Sequence, residues 1–100
     1  MPRLDVYLTP GRGSGYVVDV QASLLDELAT RAVIPLLPIA TTPPPIRELN
    51  PVFDIEGAPH VLLTQAIASV PARELRRPVA SLAGERDAIT RALDILFLGY

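Results

Sequence analysis

The closing stretch SLAGERDAITRALDILFLGY, residues 81–100, decides how the rest of the chain is read, because here the apolar period changes from two residues to about 3.6. Counted from Ser81 as a candidate N-cap, Leu82, Ile89, Ala92, Leu93, Leu96 and Phe97 fall on one helical face. A helix with one apolar stripe needs a surface to lie on, and Phe97 is expected in that core with the rest of the stripe. A second face carries Asp87, Arg91, Asp94 and Leu98, at offsets of four, seven and eleven residues. Read as a solvated face, it holds an Asp87–Arg91 pair at i,i+4; read as an exposed stripe ending in leucine, it invites a partner. Only Gly99 and Tyr100 follow, and a helix that runs so close to the end of a chain is usually docked or functional.

Ahead of the helix the chain reads in short strands. Leu4 to Leu8, Tyr16 to Val20, Ala32 to Leu37, Val52 to Ile55 and Val61 to Leu63 are rich in β-formers, and each is bounded by Gly, Pro, Asn or Asp. Glu56-Gly57-Ala58-Pro59 has the composition of a hairpin turn, and residues 10–15, with Gly11, Gly13 and Gly15, form a loose loop between the first two strands. Pro43-Pro44-Pro45 removes three successive backbone donors, so it belongs on the surface. Strands at this spacing followed by one helix predict a mainly β (α+β) fold: a small strand-rich barrel with a C-terminal helix, one domain over residues 1–100.

Composition narrows the function. Hydrophobic residues are 49% of the chain and mean hydropathy is +0.31, more apolar side chain than one small domain easily hides, which predicts a self-associating surface. No apolar run is long enough to span a membrane, and Met1-Pro2-Arg3-Leu4-Asp5 lacks a signal-peptide profile, so the expected location is the cytoplasm. With no cysteine and one histidine, disulfides, thiol nucleophiles and the usual zinc sites are excluded, and no cofactor is expected. A net charge of −2 is a poor start for phosphate-backbone binding. All nine basic residues are arginine; Arg73, Arg76 and Arg77, with Glu74 among them, are the one local cluster and read as a solvated edge.

Catalytic constellations are weak. His60 sits beside a turn and has no serine and acid at a spacing that defines a triad. The glycines at 11, 13 and 15 lack the Lys-Ser/Thr ending of a phosphate loop and lead into a strand, Val17-Val18-Asp19-Val20, where such a loop needs a helix.

Four short motifs in register, Val18-Asp19-Val20-Gln21, Leu24-Leu25-Asp26, Val33-Ile34-Pro35-Leu36 and Ala68-Ser69-Val70-Pro71, together with the ending Ile95-Leu96-Phe97-Leu98-Gly99-Tyr100, resemble the CcdB family of toxins over effectively the whole chain. The resemblance implies an SH3-like small barrel of antiparallel strands with a long C-terminal helix, forming a non-enzymatic two-fold dimer that inserts between the A subunits of DNA gyrase and traps the cleaved-DNA complex. By similarity the gyrase-binding surface takes in Leu24, Leu25 and Asp26 and the helix face Asp87, Arg91, Asp94, Leu98, Gly99 and Tyr100. Replacing Asp26 with arginine is accordingly expected to leave the dimer folded while weakening gyrase binding. For Leu24, Leu25 and Asp26 the plainer alternative is packing and charge at a turn.

Also implied is an antitoxin whose disordered acidic C-terminal segment folds onto the toxin, with operator DNA read through the antitoxin in transcriptional autoregulation. The chain departs from the family where a tryptophan usually precedes the terminal glycine: Leu98 stands there, and leucine offers no cation–π face. Tyr100 replaces a terminal aliphatic residue, and Arg91 and Asp94 stand where neutral amides are usual. Two other classes remain: a MazF-like endoribonuclease on the same barrel, with RNA near residues 11–15 where Arg12 is the local base, and a dimer that binds antitoxin but no longer poisons gyrase.

Overall fold

The strand that organises the molecule is β3 (Thr30–Pro38), whose nine residues pair along their whole length. On one side it pairs antiparallel with β2 (Tyr16–Asp19), which in turn pairs with β1 (Asp5–Leu8). On the other side its first half pairs with β6 (Ala68–Pro71) and its second half with β5 (Ala58–Leu62). The edges are β4 (Val52–Ile55) on β5 and the two-residue β7 (Ala80–Ser81) on β1. The computed structural model describes residues 2–11 and 15–100, and in it the strand order β4-β5-β3-β2-β1-β7 bends into a nearly closed barrel backed by one helix, α1 (Arg86–Leu98).

Pro35 does not end its strand, as its position in Val33-Ile34-Pro35-Leu36 suggests. Odd-numbered residues of β3 turn their backbone groups toward β5 and β6, and Pro35 falls where the partner changes from one to the other. No donor is needed at that handover, while the Pro35 carbonyl still accepts from Leu63 N–H at 2.9 Å. Two strands were not legible as strands. β6 is largely exposed, with Val70 its one large apolar side chain, and β7 is too short to show a period.

Alternation along β1 to β3 builds a core on each face of the sheet. Val6, Val18, Ile34 and Leu36 point inward with Phe53, Ile55 and Leu62, and Leu82, Ile89 and Ala92 from the helical end close over them. On the opposite face Tyr7, Val17 and Val33 are sealed by Leu75. This double burial explains why Val17-Val18 and Val33-Ile34 are continuously apolar where a one-sided sheet would alternate. Burial, followed by the nearby charges of Asp5 and Asp19, raises the Tyr7 hydroxyl above its ordinary pKa of 10.0. The folded state therefore holds that proton more tightly than the unfolded chain, so Tyr7 adds stability below pH 10 that is lost as pH rises through the raised value. Urea midpoints measured across alkaline pH should fall more steeply for the wild type than for Tyr7→Phe.

The hairpin between β4 and β5 turns on Glu56 and Gly57, both with positive φ (54° and 84°), as the tight two-residue turn requires. Gly15, at φ +93°, is constrained by contact as well: a Cβ there would lie 2.7 Å from the Leu36 carbonyl oxygen. Gly15→Ala combines left-handed strain with a backbone clash at the start of β2, a loss of about 2–4 kcal/mol in chemical denaturation. Pro43, Pro44 and Pro45 are exposed, as a surface connection requires.

The helix begins later than Ser81. The Ser81 hydroxyl accepts from Ala83 N–H at 3.2 Å, ahead of a 3-10 turn, Ala83–Glu85, whose N-cap position is Leu82, and the α-helix starts at Arg86. Gly84 lies in that turn, where its poor helix propensity does no harm. Ile89 and Ala92 are buried and Leu93 and Leu96 half-buried, but Phe97 is 67% exposed, contrary to its expected place in the core. It lies at the edge of the apolar stripe, and the final helical turn carries it beyond the inner core residues Ile89 and Ala92.

Candidate functional site

The polypeptide between β2 and β3 is held by polar contacts at the edge of the second core. Asp19 and Arg31 are fully buried, and the Arg31 guanidinium donates twice to Asp19 Oδ2, from Nε at 3.0 Å and from Nη2 at 2.7 Å. Its Nη1 donates to Asp26 Oδ1 at 2.8 Å. Burial disfavours the cation, but the hydrogen bonds and charges of Asp26 and Asp19 more than offset this and hold the Arg31 pKa above its ordinary value. Gln21 completes the arrangement: its backbone N–H donates to Asp19 Oδ1 at 3.0 Å, its side-chain nitrogen to Leu25 O at 2.9 Å, and its Oε1 accepts from Ala32 N–H at 3.0 Å.

This frame fixes the backbone of the 3-10 turn Ser23–Leu25 and leaves its apolar side chains outside. Leu24 is 91% exposed, and Leu25 and Leu28 are about half exposed, so neither Leu24 nor Leu25 is a core residue at a turn. Asp26 belongs with the ion pairs. Its side chain is 37% exposed and its carboxylate holds a buried cation, so Asp26→Arg would set a second guanidinium against Arg31. That variant is therefore expected to cost stability as well as partner binding.

At the other end of the chain, Asp87, Arg91, Asp94 and Leu98 are all exposed, as their shared helical face predicts. Arg91 does not reach along the helix to Asp87. Its Nε donates instead to Glu48 Oε2 at 2.5 Å, a contact across 43 residues that ties α1 to the loop before β4. Hydrogen bonding to Arg91 holds the Glu48 carboxyl below its usual pKa, although both side chains are solvated and the pair is screened. That loop is itself braced by Asn50, whose Nδ2 donates to Leu62 O and Gln65 Oε1, and by Thr64, whose hydroxyl donates to Leu49 O at 2.6 Å.

Gly99 closes the helix in the left-handed conformation, φ +84°, and its N–H donates to the carbonyls of Asp94 and Ile95. Around this cap Phe97, Leu98 and Tyr100 are 67%, 60% and 81% exposed, an unburied apolar tip on a helix whose inner face packs into the core.

His60 is accounted for structurally. The ring is buried, packs edge-on against Tyr16 with centroids 5.1 Å apart, and its Nδ1 donates to Ala58 O at 2.8 Å. Among the described residues no group of three His, Cys, Asp or Glu side chains could hold a metal ion, and no helix is long and apolar enough to cross a membrane. Arg12, the base expected to mark an RNA site, lies outside the described residues. The surroundings of that loop are nevertheless more basic than proximity in sequence indicates, because the fold brings Arg76 and Arg77 beside Pro10 and Gly11.

Comparison with known proteins agrees with this architecture. The family model described as CcdB protein matches residues 3–99. Among solved structures the chain is similar to the Mycobacterium tuberculosis toxin MazF-mt6, with a TM-score of 0.75, 16% sequence identity, and coverage of 93% of this chain and 95% of that one. At such low identity the second likeness concerns the barrel and its helix alone.

Proposed function

The chain belongs to the CcdB family and so is the toxin of a toxin–antitoxin pair, and from that premise we propose that its target is DNA gyrase. In this reading a two-fold dimer in the cytoplasm presents its helix tips and the Leu24 turn to the gyrase A subunit and traps the enzyme with its DNA cut. The toxin acts by shape and breaks no bond itself. The observation that carries the proposal is the exposed apolar tip of Phe97, Leu98 and Tyr100 on a helix packed into the core through Ile89 and Ala92. Hot spots of protein interfaces are built from large apolar and aromatic groups on rigid elements, and this tip serves no core of its own. Leu24 and Leu28 supply further uncovered apolar surface.

An antitoxin with a disordered, acidic C-terminal segment is the second partner, and its binding returns the toxin to an inert complex that represses the shared operon through the antitoxin. Purified protein incubated with gyrase, ATP and supercoiled plasmid should leave cleaved DNA after protease treatment. Intact plasmid at a large molar excess of toxin would overturn the gyrase reading, and harmless expression together with tight antitoxin binding would leave a dimer that has kept only its antitoxin contact.

A further inference from the structure

We propose that the cleft between the end of β1 and the segment 73–79 is a docking site for an extended acidic peptide. The cleft encloses about 460 Å³, with Leu8 and Pro10 on one wall and Arg76, Arg77 and Val79 on the other. A second hollow of about 380 Å³ shares Pro10, Gly11 and Arg76 and adds Arg73. All three arginines are exposed, and none has a carboxylate within ion-pair distance among the described residues; Glu74 is the lone acid in the lining. In a chain whose net charge is −2, this is a local excess of positive charge. Guanidinium groups grip carboxylates in a bidentate fork, which suits closely spaced acidic side chains.

The backbone supplies the second half of the argument. β7 covers only Asp5 and Val6 of β1, and the bonds Leu82 N–H to Leu4 O and Val79 N–H to Val6 O show that even-numbered residues of β1 face that edge. The N–H and C=O of Leu8 therefore point into the cleft beyond the end of β7, and its side chain is 63% exposed. An extended peptide can pair with these two groups of Leu8, the last N–H of the edge before Pro10, which has none, and lay its acidic side chains under the arginines. Single-stranded nucleic acid fits less well: it cannot use a strand edge, and Tyr7, the one aromatic lining residue, is buried and offers no face for base stacking. The natural owner of the peptide rests on the reading above and is the acidic tail of the antitoxin; the preference of the cleft rests on its own residues.

The test is fluorescence anisotropy with a labelled peptide of about twelve alternating glutamates and valines, titrated with the wild-type protein, with R76S/R77S and with R47S/R86S, which removes the same two charges at exposed positions outside the cleft. Wild type and R47S/R86S should bind alike, and R76S/R77S should bind about tenfold or more weakly. Amide exchange at Leu8 should slow in the complex. Equal binding by R76S/R77S in a protein of unchanged urea midpoint, unchanged exchange at Leu8, or tighter arginine-dependent binding of an oligouridylate of the same length would each overturn the proposal. The antitoxin arm separates the two readings. Antitoxin that binds R76S/R77S as tightly as wild type removes its tail from the cleft while leaving the partnership intact. Arginine-dependent capture of the peptide by a protein that binds no antitoxin supports the cleft and rejects the partnership.

Discussion

Replacing Arg31 with methionine should lower the unfolding free energy by about 3–5 kcal/mol, measured from urea unfolding at neutral pH, because it strands the Asp19 carboxylate in a fully buried position. The methionine fills much of the space of the arginine stem, so lost packing is the smaller part of the effect. What remains is a carboxylate that loses both guanidinium bonds and keeps, among the hydrogen bonds described here, only the backbone N–H of Gln21. For a domain of this size such a loss is a large share of total stability. Asp26→Asn is the contrasting variant. Its side chain is 37% exposed, Asp19 still neutralises Arg31, and about 1 kcal/mol is the expected cost. The double variant Arg31→Met with Asp19→Leu should recover most of what Arg31→Met loses, since it removes the isolated charge with its partner. If Arg31→Met proves no worse than Asp26→Asn, the buried pair is not what holds the β2–β3 connection.

How far such features could be read beforehand depends on the distance over which each is encoded. The strands were legible because Val6, Val18 and Ile34 face one core while Tyr7, Val17 and Val33 face the other, and a run apolar on both faces is written into neighbouring residues. The arrangement around Arg31 was not, since it depends on β2 and β3 meeting in the register Asp19 to Val33. A faint signal existed: Asp19 interrupts Val17-Val18-Asp19-Val20 and Arg31 precedes Ala32-Val33-Ile34, so each places one charge on a face that should be buried. Two opposite charges in neighbouring strands with that parity are candidates for a pair.

The helix shows the same division. Its two faces followed from the period of 3.6, whereas the true partner of Arg91 is Glu48 in a loop 43 residues earlier, which no local rule could choose over Asp87. Asp26 was singled out as a gyrase contact by its position in a family motif, which could not reveal that it bonds to a buried cation. The arginines at 73, 76 and 77 likewise gain meaning only when β7 lays the chain beside β1 and sets them against Gly11.

Removal of Leu98, Gly99 and Tyr100 should separate toxicity from folding more sharply than any single substitution at the helix tip. The three residues are exposed and contribute no side chain to either core, so the truncated chain keeps both cores, the buried pair at Asp19 and the anchor between Arg91 and Glu48. What the fold loses is the Gly99 N–H that caps the carbonyls of Asp94 and Ile95, about 1 kcal/mol, or roughly 4–8 °C in melting temperature for a domain this small. The interaction surface loses two of its three large apolar groups at the tip, and losses of that kind at an interface centre reach about a hundredfold in affinity or more. Induced expression of the truncated protein should therefore permit growth at levels where the full chain arrests it, with circular dichroism showing the same barrel in both. Arrest by a folded, truncated protein at the same expression level would move the target surface off the last three residues and leave the Leu24 turn and the helix face of Asp87, Arg91 and Asp94 as candidates. A truncated protein that no longer folds would instead show that the cap contributes far more to the helix than its two hydrogen bonds account for, a result Gly99→Ala would check independently through its left-handed strain.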